Sequence, residues 1–204
     1  MAANGKAADD GRVTDLATAT DARLVEARGF GATRKWWSGW YYGPPAPALG
    51  VGASNPSQPA QSWVPIWVPH TVTVDRIGME VTTGLAGPTV TLGIYGSTVD
   101  DTPGALILNA GTIDPSTSGF KQITISQTLS RGLHWLSFHT TDKLSYRSIT
   151  GSLYGVPAYA GGAYASQPHN SLRRYNDPGL INPAPAASTL SGGIASPYIQ
   201  VRVA

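Results

Sequence analysis

The side chains that could support catalysis are few in this sequence, and their spacing does not match a known reaction centre. Beyond Arg28 the 204-residue chain carries one glutamate, Glu80, and six aspartates. Its four histidines show neither His-x-x-x-His nor His-Glu spacing, and no Gly-x-Ser-x-Gly motif occurs. Catalysis requires titratable groups that converge on one point. We therefore expect no enzymatic activity, no metal centre and no cofactor.

One acidic pair, Asp100-Asp101, stands directly before Thr102-Pro103-Gly104. Neighbouring carboxylates in such a sequence are typical of a turn, whereas a glycosidase needs two carboxylates on either side of a sugar. The pair could also hold Ca²⁺ together with carbonyl oxygens of the loop. The sequence leaves both interpretations open.

Aromatic residues are concentrated in the run WWSGWYY at 36–42, which precedes a proline-rich segment. Tryptophans beside prolines can stack on sugar rings, and we name Trp36 and Trp40 as candidate glycan contacts. Alternatively, these aromatic residues clamp the joint between the helix and the sandwich or fill a subunit interface. The run also has the composition of a first strand.

Between Leu144 and Pro197 strand-like patterns are scarce, and tyrosines alternate with Gly, Ala, Ser, Asn and Pro. This composition is typical of recognition loops, because tyrosine offers a large amphipathic contact at low entropic cost. An irregular stretch of this length is usually functional. We therefore name four further candidate receptor or glycan contacts: Tyr154, Tyr159, Tyr164 and Tyr175. The alternative is a loop that its own tyrosines hold against the domain.

Alternating apolar residues predict the strands that must position these groups. Period-two alternation begins at Val72, slips in phase at Asp75-Arg76, and resumes after a turn at 84–88. The slip predicts a β-bulge or a bend. Further strands are predicted over 105–113, 120–129, 133–140 and 198–203. The residues predicted to point between two sheets are Val90, Leu92, Ile94, Ile123, Ile125, Leu136 and Phe138.

These strands predict an all-β protein, a jelly-roll-like antiparallel β-sandwich of about eight strands with a short N-terminal helix. The helix is predicted over Arg12–Arg28, where Thr14 can cap the start and Gly29 can end it. Its thin apolar stripe, the predicted assembly surface, consists of Val13, Leu16, Thr20, Leu24 and Ala27. Such a stripe fits a parallel bundle of identical chains or a groove on a partner. The alternative is a helix that folds back onto its own sandwich.

Three regions follow: an anchor and trimerisation helix at 1–29, a Trp/Pro-rich connection at 30–62, and a β-sandwich tip domain at 63–204. Charged residues make up 13% of the chain and the net charge is +2, without a cationic stripe, so we expect no nucleic-acid binding. Cysteine is absent, which excludes disulfides and thiolate metal sites. No apolar run has the length of a bilayer span, so we expect no membrane insertion, and we find no signal-peptide pattern.

Three segments in order carry a family resemblance: WVPIWVPHTVTVDRIGMEVTT, TVTLGIYGSTVDDTPGALILNAGTI and STSGFKQITISQTLSRGLHWLSF. Together they resemble a β-sandwich found near the C-termini of bacteriophage tail-fibre and minor tail proteins. The preceding helix is similar to the short coiled segments of trimeric phage fibres. The resemblance implies a virion location, a structural role, trimeric assembly and exposure on the particle.

The chain departs from long fibres, since no shaft of heptads or collagen repeats separates the helix from the tip. We therefore expect a short homotrimeric fibre or spike, fastened to other virion proteins through residues 1–28, whose β-sandwich serves host-surface adhesion with a glycan as its ligand. Two alternatives stay open. One is a capsid-decoration or head-fibre protein without a receptor role, and the other is a glycan-binding module.

Overall fold

The computed structural model describes residues 35–44, 48–53, 59–150, 172–175, 179–180, 182, 184, 191–192 and 196–204. The predicted helix at Arg12–Arg28, with all five residues of its stripe, lies outside these ranges. Within them the chain forms strands and no helix. No segment of the described chain is a helix long and apolar enough to cross a membrane.

The strands, in chain order, are β1 (Tyr41–Tyr42), β2 (Ala48–Ala53), β3 (Ala60–Val68), β4 (Val72–Thr83), β5 (Val90–Ser97), β6 (Pro103–Ile113), β7 (Gly119–Leu129), β8 (Gly132–Thr140), β9 (Ser145–Thr150), β10 (Leu172–Tyr175), β11 (Ser191–Gly192), β12 (Ser196–Pro197) and β13 (Ile199–Val203). The prediction of about eight strands was too low. The additional strands are short, and their pairing with long neighbours, rather than a hydrophobic pattern of their own, defines them.

Two antiparallel sheets contain these strands. The first sheet follows the order β1-β13-β4-β9-β12, with β7 on β4 and β2 on β9. The second sheet follows the order β11-β10-β3-β8-β5-β6. The chain passes from one sheet to the other after β2, β3, β4, β6, β7, β8, β9 and β11, whereas β5 and β6 are consecutive strands that pair within one sheet. The all-β, antiparallel part of the prediction is confirmed.

A single hydrophobic cluster joins the inner faces of both sheets. Val64, Leu92 and Phe138 contribute from the second sheet, and Met79 and Val201 from the first. Five of the seven residues predicted to point inward are fully buried in this cluster: Val90, Leu92, Ile94, Leu136 and Phe138. The other two, Ile123 and Ile125, pack against it while staying half-buried. The period-two pattern therefore identified the core side of these strands correctly.

The predicted irregularity at Asp75-Arg76 is confirmed. Pairing of β4 with β7 shifts register between Val74 and Arg76, and pairing of β4 with β13 shifts between Arg202 and Val203. A bulge accommodates one extra residue, so Val74 and Ile77 both face the core although they are an odd number of positions apart.

The outer face of the second sheet is also buried. Trp63, Tyr95 and Trp135 form a second apolar cluster there and are 0% exposed. Ala184 packs against this cluster, and a Cβ added to Gly93 would lie 2.8 Å from Cδ1 of Leu180. Part of the region after Leu144 therefore covers a sheet, through Leu180 and Ala184; whether its tyrosines also hold it there stays a prediction.

Candidate functional site

The most exposed large aromatic side chains of the described residues lie in one turn before β1. The amide of Trp40 donates to the carbonyl of Trp37 at 3.2 Å, and Gly39 has a φ of +79°. A side chain rarely tolerates this φ, so glycine suits the position. The indole rings at the two ends of the turn are 62% exposed at Trp37 and 67% exposed at Trp40.

Backbone hydrogen bonds fix this turn to the last strand. The amide of Gly39 donates to the carbonyl of Val203 at 2.9 Å, and the amide of Val203 donates to the carbonyl of Trp40 at 3.1 Å. The amide of Trp37 also donates to the hydroxyl of Tyr42 at 2.6 Å. The two exposed indoles are thus carried by a backbone with little freedom to move.

Trp36 has a different role from its neighbours. Its ring is 8% exposed and stacks on Tyr42 with a centroid distance of 4.4 Å and an interplanar angle of 4°. Its amide donates to Nε2 of His70 at 3.2 Å, which ties the turn to the β3–β4 connection. The ring is therefore not open to a ligand. Whether Trp36 clamps the joint between the helix and the sandwich stays a prediction, because the helix lies outside the described residues.

Trp37 replaces Trp36 in the candidate site, which consists of Trp37 and Trp40 and is called the tryptophan turn below. Lys35 places its Nζ 5.7 Å from the ring centroid of Trp37, within cation–π range. The sequence analysis missed Trp37. The signal that could have found it is the Trp-Ser-Gly-Trp spacing, since glycine at the third position is typical of a type II turn and such connections lie on the surface.

A second aromatic contact lies on the outer face of the first sheet. The rings of Tyr41 and Phe120 meet edge to face with centroids 5.4 Å apart. The Tyr41 hydroxyl donates to Oε1 of Gln122. A Cβ at Gly78 would lie 2.8 Å from Cζ of Phe120, so the glycine gives the phenyl ring room to lie over β4.

Two bidentate ion pairs flank this contact. Arg202 donates to both carboxylate oxygens of Asp75 at 2.9 and 2.5 Å, and Arg147 donates to both oxygens of Glu80 at 3.0 and 2.9 Å. The hydrogen bond from Arg202 lowers the pKa of Asp75, and the hydrogen bond from Arg147 lowers the pKa of Glu80. These carboxylates are therefore ionised and already engaged by arginines, which suits a structural role better than acid–base chemistry.

The acidic pair between β5 and β6 forms a turn through its backbone. The amide of Asp100 donates to Oγ1 of Thr98 at 3.3 Å, and the amide of Asp101 donates to the Thr98 carbonyl at 3.2 Å. Asp101 adopts a φ of +55°. These contacts agree with the turn-forming interpretation. Within the described residues, no group of three or more His, Asp or Glu side chains is placed to hold a metal ion.

Of the four candidate tyrosines, Tyr154, Tyr159 and Tyr164 lie outside the described residues. Tyr175 ends β10 and pairs with Ala60 of β3. Our prediction that Tyr175 lies in a loop is therefore wrong, because pairing with a neighbouring strand orders a segment whose own sequence shows no strand pattern. Its role as a ligand contact stays a prediction.

The sequence matches no protein-family model and no curated protein. Two solved structures overlap with the fold, those of the Gt and Gx strains of infectious bursal disease virus. Their TM-scores are 0.36 and 0.34, with 11% and 10% sequence identity. Each overlap covers 81% of this chain and 36% of the other chain. An overlap this loose assigns neither a fold family nor a function.

Proposed function

We propose that this chain is a structural protein of a bacteriophage particle, a short trimeric fibre or spike whose β-sandwich adheres to a host-surface glycan through the tryptophan turn. The resemblance of three consecutive segments to phage tail-fibre sandwiches supports the virion role. Residues 1–28 are the proposed attachment to other virion proteins. The protein acts by binding, without catalysis and without a cofactor.

The observation that carries the adhesive role is the exposure of Trp37 and Trp40 on a turn held by backbone hydrogen bonds. Exposed indoles are unfavourable in water, and a rigid pair loses little conformational entropy when a ligand covers it. The apolar face of a sugar ring can stack on an indole, and the sugar hydroxyls stay in water at the rim. The tryptophan turn therefore suits a pyranose-containing glycan.

A glycan array probed with the full-length protein tests this proposal directly. The variants Trp37→Ala and Trp40→Ala should each weaken binding to a retained glycan by roughly tenfold or more, as truncation of an aromatic anchor commonly does. Their melting temperatures should stay close to that of the wild type, because both rings are mostly exposed. Leu85→Ala is the control, because Leu85 is a large apolar residue that is 42% exposed in the β4–β5 connection, and this variant should bind normally. Unchanged glycan affinity in both tryptophan variants would show that the tryptophan turn does not bind the glycan.

Particle attachment is tested separately, with phage that carry a deletion of residues 1–28 of this protein. The deletion should abolish incorporation into particles, measured by mass spectrometry of purified virions. Electron microscopy with labelled antibodies then distinguishes a tail position from a capsid position. Label on the capsid of wild-type phage, combined with no retained glycan, would favour the decoration protein without a receptor role. That alternative draws its support from the missing shaft between the helix and the tip.

A further inference from the structure

One side of the sandwich ends in two long, neighbouring edge strands. β6 and β7 each comprise 11 residues and lie next to each other, one in each sheet. Among the described strands, β6 pairs with β5 alone and β7 pairs with β4 alone. We call these two strands together the open edge. Each leaves one row of backbone groups without a neighbouring strand in the described part of the chain, although Ala184 and Asn182 hydrogen-bond to β6 near its start, at Gly104 and Leu106.

The hydrophobic core is incompletely covered along the open edge. Leu108 and Ala110 of β6, and Ile123 and Ile125 of β7, pack against the core cluster but are only half-buried. By contrast, inward-facing residues of the neighbouring strand β5 are 0% exposed. Two more large apolar side chains on these strands are exposed, Ile107 at 39% and Phe120 at 43%. Apolar surface that reaches an edge in this way is typical of a contact surface.

The strand β7 has little protection in its own sequence over most of its length. Natural edges are blocked by proline, by bulges or by inward-pointing charges. β6 has such features, because its pairing with β5 shifts register and Asn182 accepts a hydrogen bond from the Leu106 amide at 3.0 Å. β7 contains no proline, and its single charged residue, Lys121, lies near its start in phase with the inward-facing Ile123. Its pairing with β4 shifts register between Thr124 and Gln127. From Gln122 to Leu129 it carries neither a proline nor a charge to oppose pairing with another strand.

We propose that the open edge is the contact through which copies of this chain associate. Strands of 11 residues rise about 3.3 Å per residue and the sheets lie about 10 Å apart, so the edge with its side chains measures about 36 by 20 Å. This gives about 700 Å² per copy, which lies within the range for a stable protein–protein interface once both partners are counted.

The charge pattern identifies a second copy as the occupant. Together β6 and β7 carry one charged residue, Lys121, and are otherwise apolar or neutral. A strongly charged partner, such as a nucleic acid or an acidic surface, finds no complementary patch here. Either strand of one copy can therefore lie beside either strand of another copy. Lys121 is the one residue of these strands that could then face a like charge. The inference rests on the proposed function in one respect, since it gives the proposed trimer a contact surface in the sandwich.

The test measures the mass of the full-length protein by light scattering and analytical ultracentrifugation over a range of concentrations. Ile125→Lys places a charge at an inward-facing edge position, and Thr124→Lys places one at an exposed position of the same strand. Both variants should raise the dissociation constant of the oligomer by at least about tenfold. Val99→Lys is the matched control, because Val99 is 99% exposed in the β5–β6 turn. It should leave the mass unchanged.

Thermal unfolding of each variant establishes that it is folded. If Ile125→Lys does not fold, the mass of Thr124→Lys tests the contact, because this substitution removes no buried group. A monomeric wild type would overturn the inference. Folded edge variants that keep the wild-type mass would also overturn it. If only the deletion of residues 1–28 then produced a monomer, assembly would be assigned to the N-terminal segment. Edge variants that become monomeric yet still bind glycan would separate this inference from the adhesive role of the tryptophan turn.

Discussion

Replacement of Phe138 by alanine should be among the most destabilising single changes in this protein. Phe138 is 0% exposed and meets Tyr146 of the opposite sheet edge to face, with centroids 5.2 Å apart. Its strand, β8, is paired on both sides, with β3 and β5. The surrounding backbone therefore cannot collapse readily into the cavity. Phenylalanine-to-alanine changes in such cores cost about 3–5 kcal/mol, which includes about 1 kcal/mol for the aromatic pair.

For a chain of this size, such a loss lowers the melting temperature by roughly 10 °C. Urea unfolding followed by tryptophan fluorescence measures the free energy, and calorimetry measures the melting temperature. Leu85→Ala is the control, since Leu85 is 42% exposed in the β4–β5 connection and its replacement should cost about 1 kcal/mol or less. Equal losses for the two variants, or a loss below about 1 kcal/mol for Phe138→Ala, would refute the shared core.

Two further predictions concern pH and backbone packing. Burial lowers the pKa of His134 below its ordinary value of 6.5, so the unfolded chain takes up the proton first and stability should fall as the pH drops below that value. His134→Gln should lessen the dependence of the unfolding free energy on pH, measured by urea titrations near pH 5 and pH 7. An equal pH dependence in the variant and the wild type would contradict this role of His134. Gly78→Ala should cost about 1–3 kcal/mol, because its Cβ would lie 2.5 Å from the Lys121 carbonyl oxygen. Gly96→Ala, whose nearest neighbour would be 3.7 Å away, is the control and should melt within a few degrees of the wild type.

Much of the two-sheet architecture could be predicted from the sequence, because period-two alternation is a local property of the chain. Leu92 and Phe138 were assigned to the core from their neighbours in sequence alone, and both are fully buried. The phase slip at Asp75-Arg76 predicted a bulge, since an odd spacing between Val74 and Ile77 cannot keep both side chains on one face of a regular strand.

The sequence indicated one short strand, since the run at 36–42 has the composition of a first strand and its last two residues form β1. The extent of β1 and the other short strands could not be predicted, because these segments become strands by pairing rather than through a pattern of their own. Tyr41 and Tyr42 are in β1 since Arg202 and Val201 of the last strand pair with them. β10 exists for the same reason, through its pairing with β3. Such segments gain hydrogen bonds only when distant parts of the chain are brought beside them.

The sequence by itself determined that aromatic residues are concentrated at 36–42, but the tertiary structure alone decided which of them face water. Trp36 is buried by stacking on Tyr42, whereas Trp37 and Trp40 are held outward by hydrogen bonds from the turn to Val203. That distinction depends on where the C-terminal strand passes, more than 160 positions later in the chain. Local composition determines which residue types are available for a site, and long-range packing determines which of them a ligand can reach.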